Sequence, residues 1–149
     1  MRRVPVFLVD IDGTIADSTH RLHLIANHPK KWDEFFEACD QDPVVRQVLE
    51  VVIGLYVEYE VLFITGRPEK IRAKTEKWLR EVWFAEPKVL MRPEGDHRDD
   101  TVVKLELWQK FKAEHPDWEV EGVFEDRPRV CRMWREQGFT VYQLSDKEF

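Results

Sequence analysis

The feature that most constrains this chain is an alternation repeated along its length. Short, β-rich apolar runs, too brief for helices, are each followed by a stretch with helical spacing. The runs are residues 5–10, "EVLFIT" (60–65), "KVLMR" (88–92), "EGVFED" (121–126) and "TVYQL" (140–144). Between them, residues 43–59 place Val45, Val48, Leu49, Val52, Ile53 and Tyr56 on one helical face behind Pro43. Further helices fit 68–84, 100–114 and 128–137, the last closed by Gly138. Uninterrupted apolar strands alternating with helices predict an α/β fold, a three-layer Rossmann-like sandwich around a mostly parallel central sheet. Ligands of such sheets bind at the carboxyl ends of the strands.

At 149 residues and 43% apolar content the chain can bury one core, so residues 1–149 are expected to form a single domain. One segment exceeds a simple connection. Residues 15–42, with helical patterns around 18–26 and 32–39, are expected to form a small helical cap or lid over the sheet edge after the first strand.

A net charge of −6 argues against a protein that coats long stretches of nucleic acid by charge alone. Cys39 and Cys131 lie far apart with no zinc-type spacing, and read as two buried thiols. No apolar stretch approaches the ~18 residues of a membrane span, and the Met1-Arg2-Arg3 start does not lead into a signal peptide. A soluble, cytoplasmic protein with no membrane partner is expected.

The chemistry is expected where the strands end. The first run delivers Asp10 and Asp12, the second Thr65 followed by Gly66 and Arg67, the fourth Glu125 and Asp126, while Lys104 lies in the helix after the third. Residues two apart on an extended segment point the same way, so Asp10 and Asp12 can face one phosphoryl group while Ile11 turns into the core. Gly13 then allows a sharp turn. Carboxylates this close repel one another unless a cation sits among them, and carboxylate and carbonyl oxygens are the ligand set of Mg²⁺. Asp10 can then act as a nucleophile on phosphorus, and Asp12 as the acid for the leaving oxygen and base for the hydrolytic water. Thr65 and Lys104 can hold the phosphoryl oxygens.

These residues resemble the four motifs of the haloacid dehalogenase (HAD) phosphohydrolase superfamily: "DIDGT" (10–14), the Thr of "FITGR" (65), Lys104, and "ED" (125–126). The resemblance implies that the metal is held by Asp10, the backbone carbonyl of Asp12, and Asp126. Glu125 stands where many members have Asp, in a supporting role. In the C-terminal half, "GDHRDDTVVKLELW" (95–108) and "EDRPRVCRMWREQGFTVYQL" (125–144) resemble the 3′-phosphatase domain of bacteriophage polynucleotide kinase-phosphatase. That likeness implies substrate-gripping or lysine-orienting roles for Arg21, Arg67 and Asp100, and an expected substrate-binding set of Arg21, Thr65, Gly66, Arg67 and Lys104. Residues 22–42 read longer than that domain would lead one to expect, and no GxxxxGK[ST] of a kinase half is present.

The expected function is therefore a Mg²⁺-dependent phosphomonoesterase working through an aspartyl-phosphate. Its substrate by resemblance is a nucleic-acid or nucleotide 3′-phosphate, and a separate kinase or ligase is an expected partner. A 5′-nucleotidase or small-molecule phosphatase would use the same catalytic residues. A non-catalytic module that binds nucleic-acid ends is opposed by the retention of Asp10, Asp12, Lys104 and Asp126. Plainer readings exist for single residues: a D-G turn at 12–13, a helix cap at Thr65, a solvated face for Lys104, and ion pairs of Arg21 and Arg67 with acids such as Asp17 or Glu69. The row Arg129, Arg132, Arg135 reads best as a solvated helix face. Trp78, Trp83, Trp108 and Trp134 fall on apolar faces and read as core, leaving Trp32 with Phe35 or Phe36, in the lid, as candidates to stack on a base.

Overall fold

The computed structural model describes residues 2–147. Strands β1 (Val4–Val9), β2 (Glu60–Pro68), β3 (Val89–Arg92), β4 (Trp118–Glu125) and β5 (Val141–Gln143) form one sheet in the order β3-β2-β1-β4-β5. Among the described residues every strand pairing is parallel. The helices are α1 (Trp32–Glu37), α2 (Arg46–Leu55), α3 (Arg72–Val82), α4 (Asp100–Glu114) and α5 (Pro128–Glu136). The α/β alternation of the sequence is the architecture of the protein.

The central strand shows why the apolar runs are unbroken. Phe7 and Val9 face a core shared with Leu49 and Val52 of α2 and Trp78 and Leu79 of α3. Val6 and Leu8 face the other core, with Trp108 of α4 and Val130 and Trp134 of α5. Both faces are covered, so both parities of β1 must be apolar. Trp78, Trp83, Trp108 and Trp134 are all buried, as their spacing implies.

Register brings the strand ends level. Val9 pairs with Phe63 of β2 and with Phe124 of β4, and the Asp10 amide donates to the Phe124 carbonyl at 2.9 Å. Asp10 and Asp126, just past β1 and β4, therefore meet Thr65 of β2 on the carboxyl edge, where β2 runs on to Pro68 past the expected end at Thr65 and its register with β3 shifts.

The segment between β1 and α2 folds as expected into short helical pieces, a 3₁₀ turn (Thr19–Leu24), α1, and a second 3₁₀ turn (Ala38–Gln41). Its stem is pinned by Asp17 N–H to the Pro43 carbonyl at 2.8 Å and Val45 N–H to the Ile15 carbonyl at 2.7 Å. This pinning occupies residues 43–45, so α2 begins at Arg46 rather than at Pro43. The lid rises from the central strand, and so it stands over the carboxyl ends of the strands, not along a sheet edge. No described helix is long and apolar enough to cross a membrane.

Candidate active site

Asp10 leaves β1 buried, with Ile11 turned fully into the core. Its Oδ1 accepts from Lys104 Nζ at 2.8 Å, and its Oδ2 accepts from the Thr14 hydroxyl at 3.0 Å. Lys104 comes from the second turn of α4 and is itself buried, its Nζ also donating to Glu125 Oε1 at 2.6 Å. The other oxygen of Glu125 accepts the backbone N–H groups of Asp126 at 3.0 Å and Arg127 at 3.2 Å. Glu125 thus spends both oxygens on holding the lysine and the turn after β4. Carboxylate oxygens of Asp10, Glu125 and Asp126 all lie within 4.8 Å of one another.

With all three carboxyls ionised against one ammonium, two negative charges would stand uncompensated in a buried place. Burial first, and then the charge of Glu125, pushes Asp10 up to about 7. Burial and the neighbouring Asp10 push Asp126 up to about 10. For Glu125 the cost of burial is outweighed by Lys104, which holds it below its ordinary value. The ammonium of Lys104 is held well above its own ordinary value by Asp10 and Glu125, against the opposing effect of burial. An all-oxygen donor set whose ionisation is opposed by its own crowding suits a hard divalent cation such as Mg²⁺.

Asp12 sits beside this cluster in a different environment. Its Oδ1 accepts from Arg21 Nη2 at 2.5 Å and from Arg67 Nη2 at 2.6 Å. Burial opposes ionisation, but Arg67 and Arg21 together hold the carboxyl far below the ordinary range. Both arginines are enclosed, at 1% and 0% side-chain exposure, whereas the Asp12 side chain is 19% exposed. They stand behind Asp12 and do not line the cavity in front of it. Of the plainer readings, ion pairing is thus what the geometry displays for Arg21 and Arg67, but with Asp12 and Asp42 as partners in place of Asp17 or Glu69.

Thr65 is buried at the cavity wall, its hydroxyl oxygen accepting the Arg67 N–H at 3.1 Å. At Gly66 a side chain has no room, since a Cβ there would lie 2.5 Å from Asp100 Oδ1. Asp100 accepts from Arg92 Nη2 and, at 2.7 Å, from Arg127 Nη1. It acts on Lys104 through its charge.

Together these groups line a cavity of about 400 Å³. Asp10, Asp12, Thr65, Lys104 and Asp126 line it together with Trp32 and Phe36 of the lid and with Lys70, His97 and Arg129. Trp32 is 38% exposed and stacks on Phe36 with ring centroids 5.7 Å apart. Sequence reasoning missed two residues. Asp42 carries no motif, and Arg92, which donates to the Gly66 carbonyl at 2.8 Å, looked like an ordinary strand end.

A parallel α/β sandwich whose central strands deliver paired acids and a threonine, and whose helix α4 delivers a buried lysine, to one cavity defines a phosphatase of the haloacid dehalogenase class. Within that class the chain belongs to the family described as the polynucleotide kinase PNKP phosphatase domain, whose model matches residues 5–149. It is 29% identical over 132 residues to a protein of Autographa californica nuclear polyhedrosis virus described as a bifunctional polynucleotide kinase/RNA ligase, covering 87% of this chain and 17% of that protein. Among solved structures it resembles a chain of a Pnkp1/Rnl/Hen1 complex, with a TM-score of 0.80, 26% identity and coverage of 99% of this chain and 47% of that one. The class C acid phosphatase of Bacillus anthracis shares the fold, with a TM-score of 0.67, 11% identity, and coverage of 100% of this chain and 69% of that one. The chain thus spans less than half the length of the viral and repair-complex relatives.

Proposed function

We propose that this phosphatase removes the 3′-phosphate from a nucleic-acid or nucleotide end, in a Mg²⁺-dependent reaction through a phosphoryl-Asp10 intermediate. The observation that carries the chemistry is the convergence of Asp10, Glu125 and Asp126, three carboxyls, on the one ammonium of Lys104 in the cavity. Asp10, Asp126 and the backbone carbonyl of Asp12 would hold the ion, which would offset the charge of the acids and of the phosphoryl group they face.

A carboxylate oxygen of Asp10 attacks phosphorus and the bond to the ester oxygen breaks. Lys104 and Thr65 hold the phosphoryl oxygens while charge shifts among them. Asp12 protonates the departing oxygen and then takes a proton from the water that hydrolyses the acyl phosphate. Its ion pairs with Arg21 and Arg67 keep it a carboxylate in the free protein, the form the second step needs. An arriving phosphoryl dianion raises its proton affinity, favouring the form the first step needs.

The 3′ preference is supported by membership of the polynucleotide kinase-phosphatase family and by the lid, where Trp32 and Phe36 border the cavity that holds Asp10. A kinase or ligase, on a longer chain or a separate one, is the proposed partner, in keeping with the names of the relatives. Buried, unpaired Cys39 and Cys131 suit a reducing, cytoplasmic setting. The test is a panel with Mg²⁺: a 3′-phosphorylated oligonucleotide, 3′- and 5′-mononucleotides, and an aryl phosphate. Preference for the 3′-phosphorylated end is expected, and preference for a 5′-monophosphate would overturn the assignment.

A further inference from the structure

Asp42 is a buried acid for which the proposed reaction has no use. It lies where the lid returns to its stem, with a fully enclosed side chain. Its Oδ1 accepts from Arg21 Nε at 2.8 Å, and its Oδ2 accepts from Arg21 Nη2 at 2.6 Å and Arg67 Nη2 at 3.4 Å. His20 Nε2 is 2.6 Å from Oδ1. The Nη2 atoms of both arginines are the same atoms that reach Asp12 Oδ1. Two guanidiniums between two carboxylates make a charge-neutral quartet, and of its four members only Asp12 opens to the cavity.

A buried ion network is weak evidence for a stabilising purpose, because apolar side chains of similar size often fill such a space at no loss. What apolar residues cannot do is hold one carboxyl group at one place and angle. With Asp42 removed, both guanidiniums would have Asp12 as their main acid partner, and one positive charge would lie buried without an opposite. They would then be free to leave the positions from which they hold Asp12. Arg67 is further tied to the Thr75 hydroxyl at 3.2 Å, and Arg21 to the Phe35 carbonyl at 3.1 Å, with its guanidinium 4.2 Å from the centre of the Phe35 ring. The arginines are thus braced on α3 and on the lid, and Asp42 closes the frame.

We propose that Asp42 is a positioning residue for Asp12, acting through Arg21 and Arg67 to fix the Asp12 carboxyl group in the cavity wall. This rests on Asp12 being the acid of the proposed reaction.

The test compares Asp42→Asn, Asp12→Asn and the double variant on two substrates with Mg²⁺. One is a 3′-phosphorylated oligonucleotide, whose leaving alkoxide needs a proton; the other is 2,4-dinitrophenyl phosphate, whose leaving group does not. The readout is kcat/KM, which reports the attack by Asp10. Asp42→Asn is expected to lower it about 10- to 100-fold on the oligonucleotide, the scale of a misplaced catalytic group, and to leave the aryl substrate nearly unchanged. Adding Asp42→Asn to Asp12→Asn should change kcat/KM by no more than about twofold, because the group being positioned is already gone. Equal losses on both substrates, or multiplying losses in the double variant, would overturn the proposal. If Asp12→Asn shows no contrast between the substrates, the acid role of Asp12 is what fails, a result visible without any Asp42 variant. Should Asp42→Asn not fold, Asp42→Glu keeps the charge and moves the carboxylate by one methylene. It should show the same contrast in smaller measure, and its absence would overturn the proposal.

Discussion

Gly13 lies against the carboxylate of Asp126 so closely that a Cβ at this position would overlap Oδ2 and stand 2.7 Å from Cγ. Gly13 also has φ +81°, in the left-handed region that side chains disfavour. The turn after β1 and the acid after β4 are therefore fitted to each other, and the glycine serves the site as well as the chain reversal. Gly13→Ala is expected to lose most phosphatase activity by displacing Asp126, and to lower stability by about 1–2 kcal/mol from the backbone alone. Turnover and thermal melting of the purified variant check both.

The Asp10–Asp126 pair predicts how the metal-free protein responds to pH. Both carboxyls are raised from 3.8, one to about 7 and the other to about 10, so between those values the folded state binds more protons than the unfolded chain. The stability these groups contribute is present at low pH and is lost as pH rises through 7 toward 10, the pair titrating as a unit. In EDTA, Tm should show this downward pull with rising pH. Magnesium should raise Tm more at pH 8 than at pH 5, because ion and protons compete for the same oxygens. An equal increment at both pH values would count against these residues as the cation site.

Asp10→Asn is expected to abolish turnover of an aryl phosphate and the acid-stable trapping of phosphate on the protein. Persistent turnover would require another nucleophile. Asp12→Asn should slow hydrolysis of an alkyl phosphate by about 10²–10⁴-fold, the usual worth of acid-base help, while leaving magnesium binding nearly intact. Calorimetric titration with the ion separates the two effects.

Trp32 presents a 38% exposed ring at the cavity wall. Trp32→Ala should lower kcat/KM for a 3′-phosphorylated dinucleotide about 5- to 100-fold, in keeping with one base–aromatic stack, with little change on an aryl phosphate. Trp32→Phe should recover part of the loss. Equal effects on both substrates would assign the residue to holding the lid.

Much of this could be read from residue order because the fold writes itself in short apolar runs. Asp10, Glu125 and Asp126 were legible as strand-end positions and Lys104 as a residue of the helix that follows β3, whereas Thr65 lies inside β2, which continues past a register shift to Pro68. The start of β4 was obscured because Glu119 and Glu121 alternate with Trp118 and Val120 there, the two acids pairing with Arg3 in place of packing inward. Which way Arg21 and Arg67 face depends on Asp42, a residue from the lid with no motif of its own. Spacing along the chain carries no record of such a partner. The lid's place over the central strands likewise follows from a stem of hydrogen bonds at Asp17 and Val45 that no periodicity announces.

The strand order β3-β2-β1-β4-β5 has a consequence for synthesis. Asp10 follows β1, yet the strands that flank β1 come second and fourth of the five in chain order, and Lys104 lies 94 residues downstream of Asp10. A growing polypeptide has no complete cluster until the Glu125-Asp126 step has been added and drawn alongside, so the three carboxyls and the ammonium of Lys104 are brought together in a single event.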